Sequence, residues 1–367
     1  MVEGHSVHRI ASRFRSKLIG RKFTASSPNG RFVDGAAAID GRVLSRMEAV
    51  GKNLFAFFSS EDATMMGSGD NNNGEEEDVV VVHVHFGMSG VWAVYNSLVE
   101  EVPEVKPTTR LRLEEITPNG TSQVVTAAST TASNNQFIAH LSAMTVAHGT
   151  HSLFTTKKSS LGQDPLRSDA NPNLLYAKIH KSKMSIGKLL MDQSYFAGPG
   201  NIFRAEILFL AGVYPTTLGM YLDRASFDKI WNVSVSLLRR GYDTGSILTV
   251  DATVDPSVAA RGERRYIYNK SVCARCGSRV SSWDMAGRTC YACEGGGCQP
   301  KSTIQLGDGD NGKKAVKKEM EEVQTKSNPV VVTAKGKQKK STKKQQPQQH
   351  VPFISHCAPM RLSQRLD

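Results

Sequence analysis

The sequence predicts a multi-domain α+β protein: an opening helix, a β-rich first half, a helical second half, a β-hairpin zinc finger and a disordered basic tail. Three observations predict it. Apolar residues recur at helical spacing from the first residues onward, then give way to β-branched and aromatic runs with alternation, as in VVHVHF. After this opening helix, long helical patterns return only after residue 180. Five of the six cysteines crowd between 273 and 298, and the chain beyond Gln299 is rich in Lys, Gln, Gly and Ser.

The elements follow in order. Val7, Ile10, Ala11, Phe14 and Leu18 share one helical face, and Gly20 stops the run. GKNLFAFFSS and DVVVVHVHFGMSGVWAV have strand composition. Between them, EDATMMGSGDNNNGEEED cannot pack and is expected to be a disordered insertion. TTRLRLEE and SQVVTA are expected strands. TTASNN and TKKSSLGQDPLRSDANPN are expected loops, with a domain junction near them. MSIGKLLMDQSYF is expected as one helix, NIFRAEILFLAG as the next across a short AGPG link, and SFDKIWNVSVSLLRRGY as a longer third. The expected domains are 1–150, 151–262, a finger at 263–300 and a tail at 301–367.

At 367 residues the chain is long enough for two or three cores, and 39% hydrophobic content fits a globular protein. No apolar stretch nears the roughly 20 residues a bilayer span needs, so no membrane partner is expected. The first twenty residues lack the pattern of a signal peptide, and no presequence is expected. Residues 301–367 carry a net +8 of the chain's +12. Such a tail suits an anionic polymer, or serves only as a solvated, solubilising segment.

CARC supplies Cys273 and Cys276, a turn-sized pair, and CYACEGGGC offers Cys290, Cys293 and Cys298. Four thiolates can close a tetrahedron around Zn²⁺, so a structural zinc finger is expected in preference to free buried thiols. GRTCYAC places Arg288 in the second strand of the hairpin, where it is a surface arginine or a phosphate contact. Asn201 stands at the start of a helix preceded by glycines, a setting ready for phosphate or for a plain helical hairpin.

Taken together, these stretches resemble the formamidopyrimidine-DNA glycosylase and endonuclease VIII family. The resemblance covers most of residues 1–300 through MVEGHSVHRIA, GKNLFAFF, HFGMSG, LGQDPLRSD, IGKLLMDQSYFAGPGNIFRAEILF and GRTCYACEGGGCQ. The opening GHSVHR and LGQDPLRSD are nearest the endonuclease VIII branch. The resemblance implies an N-terminal β-sandwich with its opening helix, a helix-two-turns-helix domain carrying the finger, and damaged DNA, duplex or single-stranded, in the cleft between them. It implies a monomeric base-excision enzyme that removes oxidised bases and nicks the resulting abasic site.

The resemblance also assigns roles. After removal of Met1, the new α-amine attacks C1′ of the damaged nucleotide and forms an imine. The family's usual nucleophile is proline; here it is Val2. A primary amine gives an imine that must be protonated to draw electrons, so strand cleavage is expected to be weaker than with proline. An α-amine ordinarily titrates near pH ~8, and a useful fraction is therefore neutral at physiological pH. Glu3 aligns with the general acid. Ser6 stands where a second glutamate is usual. Lys52 matches the lysine that holds phosphates beside the lesion. Met88 matches an apolar wedge that fills the space of a flipped base, a core residue being its plain alternative. Asn201 and Arg288 match phosphate clamps. The arginine–phenylalanine pair of the formamidopyrimidine branch has no clear counterpart. The family spacing selects Cys273, Cys276, Cys293 and Cys298 for zinc, with Cys290 the alternative to Cys298. His5, His8, His83 and His85 are expected to be structural.

Two rivals remain at this stage. One is a non-catalytic binder of damaged or bent DNA with the same fold. The other is a zinc-ribbon interaction module, which leaves the MVEG start and Lys52 unexplained. The run KGKQKKSTKK is compatible with nuclear import.

Overall fold

A computed structural model describes residues 2–60, 78–116 and 136–301. The acidic insertion, SQVVTA and the basic run 335–344 lie outside the described residues. The opening helix α1 (Gly4–Leu18) buries Val7, Ala11, Phe14 and Leu18, with Ile10 packed at the edge of the same core. The 3.6-residue period therefore sets the face that docks. Phe14 meets Trp92 edge to face at 5.2 Å.

Eight strands form one antiparallel sheet: β1 (Lys22–Ser26), β2 (Arg42–Val50), β3 (Asn53–Ser59), β4 (Val80–His85), β5 (Val91–Asn96), β6 (Leu111–Glu115), β7 (Phe137–Ser142) and β8 (Thr145–Gly149). Their order is β5-β7-β6-β1-β2-β3-β4-β8. Side chains from both ends of this order, Trp92 and Leu141 at one and Val84 and Val146 at the other, share one core with α1. The two-layer packing of a sandwich is thus made by a continuous sheet folded over that core. A short helix α2 (Val33–Ile39) packs against β1, β4 and β8.

On the outer face, Phe55 and Phe57 are covered by Phe154, at ring distances of 5.0 and 5.2 Å. Phe154 belongs to α3 (His151–Ser160), so TKKSS is helical rather than a loop. A mostly polar segment gives little periodic signal, and one buried aromatic anchors it.

The helical half contains α4 (Pro172–Ile179), α5 (Ile186–Leu189), α6 (Asn201–Ala211), α7 (Arg224–Thr244) and α8 (Pro256–Ala260). The single helix expected over MSIGKLLMDQSYF is only the four residues of α5. Asp192 explains the break: its Oδ1 accepts from Ser194 N at 2.9 Å, and its carbonyl accepts from Tyr195 N. A side chain that bonds the local backbone offers the chain a turn instead of another helical step. Helix α6 is buried almost all round and ends on Gly212 in the left-handed region, at φ 70°. Asp223 caps α7 through Ser226 N.

Cys273 and Cys276 lie in a tight turn ahead of the hairpin β9 (Ser281–Asp284) and β10 (Thr289–Ala292). Arg288 lies in the turn before β10, not within the strand. Ala286 and Gly287 take positive φ there, and the Arg288 carbonyl closes the turn by accepting from Met285 N. Among the described residues no helix is long and apolar enough to cross a membrane.

Candidate active site

The amino terminus is held by close backbone packing. Gly4 N donates to Gly198 O at 3.0 Å. A Cβ on Gly4 would lie 2.7 Å from Gly198 Cα, and one on Gly51 would lie 2.8 Å from Gly198 N. Only glycines allow α1, the β2–β3 turn and the AGPG link to meet. Asp164, buried, locks the junction. Its Oδ2 accepts from Gly51 N at 2.7 Å and lies 2.7 Å from His8 Nε2, while its Oδ1 accepts from Leu166 N.

This junction places Val2, Glu3, Lys52, Met88, Asn201 and Arg288 around one cavity of about 530 Å³. Glu3 is 1% exposed. Its carboxylate accepts from Gly200 N at 2.7 Å and Ile202 N at 3.3 Å. The amides at the start of α6, expected to face phosphate, therefore hold a carboxylate of the chain itself. Burial raises the Glu3 pKa above the usual carboxylate value, against the opposing pull of Lys52 and the two backbone N–H groups. Burial likewise lowers the Lys52 pKa, with Glu3 opposing and Arg288 reinforcing. The cavity thus shifts an acid and an amine toward their neutral forms, the protonated carboxyl and the free amine.

Asn201 Nδ2 donates to Thr289 O at 3.1 Å, and its Oδ1 accepts from Arg204 Nη2. Arg204 is completely buried and also reaches the carbonyls of Arg288 and Thr289. Glu206, completely buried two residues on, accepts from the backbone N–H of Tyr266, Ile267 and Tyr268. Helix α6 thereby fixes both the finger hairpin and the approach to it.

Several cavity residues escape a reading of the sequence. His85, expected to be structural, lines the cavity, and burial lowers its pKa. His83 is instead buried, 2.9 Å from Asn53 Oδ1. Tyr268 and Tyr291 line the finger side with ring centroids 5.2 Å apart. Met144 and Met191 join Met88 on the lining. His85, Met191 and Tyr291 fall within the family stretches without a role being assigned to them; tertiary packing brings them together with Met144 and Tyr268.

The sulfurs of Cys273, Cys276, Cys293 and Cys298 all lie within 4.8 Å of one another. The donor set and its compactness fit a tetrahedral metal site with metal–sulfur distances of about 2.3 Å. Cys290 is excluded. It lies buried in β10, paired with Trp283 across the hairpin, and its sulfur is not part of the group. The longer last spacing is absorbed by Gly295–Gly297, where Gly296 and Gly297 take positive φ. A Cβ on Gly296 would lie 2.7 Å from Cys276 Cβ. Gln299, completely buried, receives Cys293 N and donates to Val213 O, joining the cluster to the helical half. Cys298→Ser is expected to lower bound metal well below one per chain and to reduce the melting temperature. Cys290→Ser should keep a full equivalent. Elemental analysis of the purified variants checks both.

Residues 161–252 match the formamidopyrimidine-DNA glycosylase H2TH domain. Endonuclease 8 1 of Mycobacterium bovis is 32% identical over 300 residues, spanning 80% of this chain and 98% of the relative. The chain belongs to the formamidopyrimidine-DNA glycosylase and endonuclease VIII family. Endonuclease 8 1 of Mycobacterium tuberculosis matches to the same extent. A formamidopyrimidine-DNA glycosylase of Exiguobacterium is 31% identical over 144 residues, covering 38% of this chain and 52% of that protein. The fold is shared with Lactococcus lactis Fpg, solved in complex with DNA containing an abasic site. That structure covers 82% of this chain and 100% of its own, with a TM-score of 0.58 at 19% identity.

Proposed function

We propose that this chain is a base-excision DNA glycosylase acting on oxidised bases, with an accompanying abasic-site lyase step. The observation that carries this reading is the convergence of Val2, Glu3, Lys52, Asn201 and Arg288 on one cavity. Once Met1 is removed, the Val2 amine attacks C1′. The base leaves as Glu3, whose pKa burial raises, delivers a proton. The imine draws electrons, the C2′ proton is lost and the 3′ phosphate departs. Arg288 supplies positive charge for the flanking phosphates, and Lys52 donates hydrogen bonds to them. Asn201 orients beside them, its amide set by Arg204. Met88, 64% exposed at the cavity mouth, enters the stack when the base is flipped.

Zn²⁺ on Cys273, Cys276, Cys293 and Cys298 supplies structure by tying the hairpin that carries Arg288. The enzyme works as a monomer, with domain boundaries near 150, 262 and 300, and the run 335–344 directs it to the nucleus.

The test is borohydride trapping. With Met1 removal confirmed by mass spectrometry, the protein is incubated with abasic-site or oxidised-pyrimidine DNA, reduced and peptide-mapped. A crosslink on Val2 supports the reading. Tight DNA binding without any crosslink would leave a lesion-binding protein in its place. Val2→Pro is expected to raise strand cleavage relative to base release, because a secondary amine gives a permanently cationic iminium. Equal ratios in the two proteins would refute the imine argument.

A further inference from the structure

Among the described methionines, the two most exposed are Met88 at 64% and Met144 at 61%. Both line the mouth of the same cavity. They come from different connections, Met88 between β4 and β5 and Met144 between β7 and β8. A Cβ on Gly87 would lie 2.9 Å from Met144 Cβ and 3.2 Å from its Sδ. The Met144 thioether therefore rests on the residue directly before Met88. By contrast Met47 and Met285 are buried, and Met184 is 38% exposed away from the cavity lining.

We infer that Met88 and Met144 form a paired, reversible oxidation site that governs engagement of duplex DNA. The co-substrate is a peroxide. The thioether sulfur takes one peroxide oxygen as an S–O bond, the O–O bond breaks, and the other oxygen leaves as water after proton transfer. Sulfur loses two electrons and the peroxide gains them. The product replaces a flexible apolar side chain with a polar, chiral one. A sulfoxide is poorly suited to enter stacked bases, whereas a thioether adapts to them. Thiol-dependent methionine sulfoxide reductases reverse the change. This inference rests on the proposed DNA-repair reading for its consequence, though the site itself is defined by exposure and packing.

The test uses the full-length, metal-loaded protein titrated with hydrogen peroxide. Peptide mapping follows each methionine, and a chromogenic chelator follows metal release. Cleavage is measured on the same lesion in duplex and in single-stranded DNA. Met88 and Met144 should gain oxygen before Met184 and before metal is released. The duplex rate should fall about fivefold or more, with the single-strand rate changing less than twofold. Methionine sulfoxide reductases with dithiothreitol should restore the duplex rate. A Met88→Leu/Met144→Leu protein, scaled to its own untreated rate, should keep that rate through the same dose. The inference is overturned if other methionines react first, if loss of activity tracks metal release, or if the oxidised protein cleaves duplex undiminished. Reductase reversal on the unvaried protein decides the matter even if the double variant misfolds. If the untreated protein cleaves neither substrate, the functional reading has failed instead. Duplex binding before and after oxidation then provides the readout.

Discussion

Placing Gly-Ser ahead of Val2 is expected to abolish both base release and the borohydride crosslink. The extension moves the α-amine away from the cavity, and it crowds a half-buried residue that lines the cavity wall. Loss of a catalytic nucleophile acts on the order of 10⁴-fold or more. Measuring duplex binding alongside activity separates the two causes. Bound DNA with no turnover points to the missing amine. Loss of both points to blocked access. A tagged protein that still traps DNA on another residue would remove Val2 from the mechanism.

Glu3→Gln is the second large effect. Base release should fall by about 10²–10⁴-fold, the span ascribed to a positioned acid. The carboxylate accepts from Gly200 N and Ile202 N, so an amide must turn its own N–H toward one of these donors. That mismatch should destabilise the fold by about 1–3 kcal/mol. The pH dependence has a definite sign. Burial raises the Glu3 pKa above its ordinary 4.5, so the folded state holds the proton more tightly than the unfolded chain. Its contribution is fully present below about 4.5 and is lost as pH rises through the raised value. Melting curves should show this decline in the unvaried protein and not in Glu3→Gln. Full base release by Glu3→Gln would exclude Glu3 as the acid.

Much of the architecture is legible in the sequence because local periodicity and tertiary burial agree. The residues of α1 repeat every 3.6 positions, and the sheet core needs that face. MSIGKLLMDQSYF misleads because Leu and Met favour helix, while Asp192 satisfies the backbone in a turn. Segment 151–160 gives no helical signal because its anchor is one aromatic, Phe154, against two rings on another element. The fourth thiol of the metal cluster cannot be chosen from spacing alone. The choice depends on how the Gly295–Gly297 turn brings the Cys298 sulfur back to the other three. Val2, Glu3, Lys52, Asn201 and Arg288 come into view through family motifs, whereas Met144 and Tyr268 are defined only by what faces them. Periodicity reports an element's inner face. It is silent about which elements face one another.

The contact of Glu3 and Gly4 with Gly198, Gly200 and Ile202 has a consequence for the order of events during synthesis. Glu3 and Gly4 leave the ribosome before the loop that completes their surroundings. At about 5–20 residues per second, roughly 200 further residues take about 10–40 s to follow. During that interval the sheet can begin to form, but Glu3 lacks its two N–H donors. On the proposed function, removal of Met1 falls within this interval, before Gly198 and Gly200 pack against Glu3 and Gly4. Processing and assembly are ordered by the distance in sequence between two glycines that end up touching.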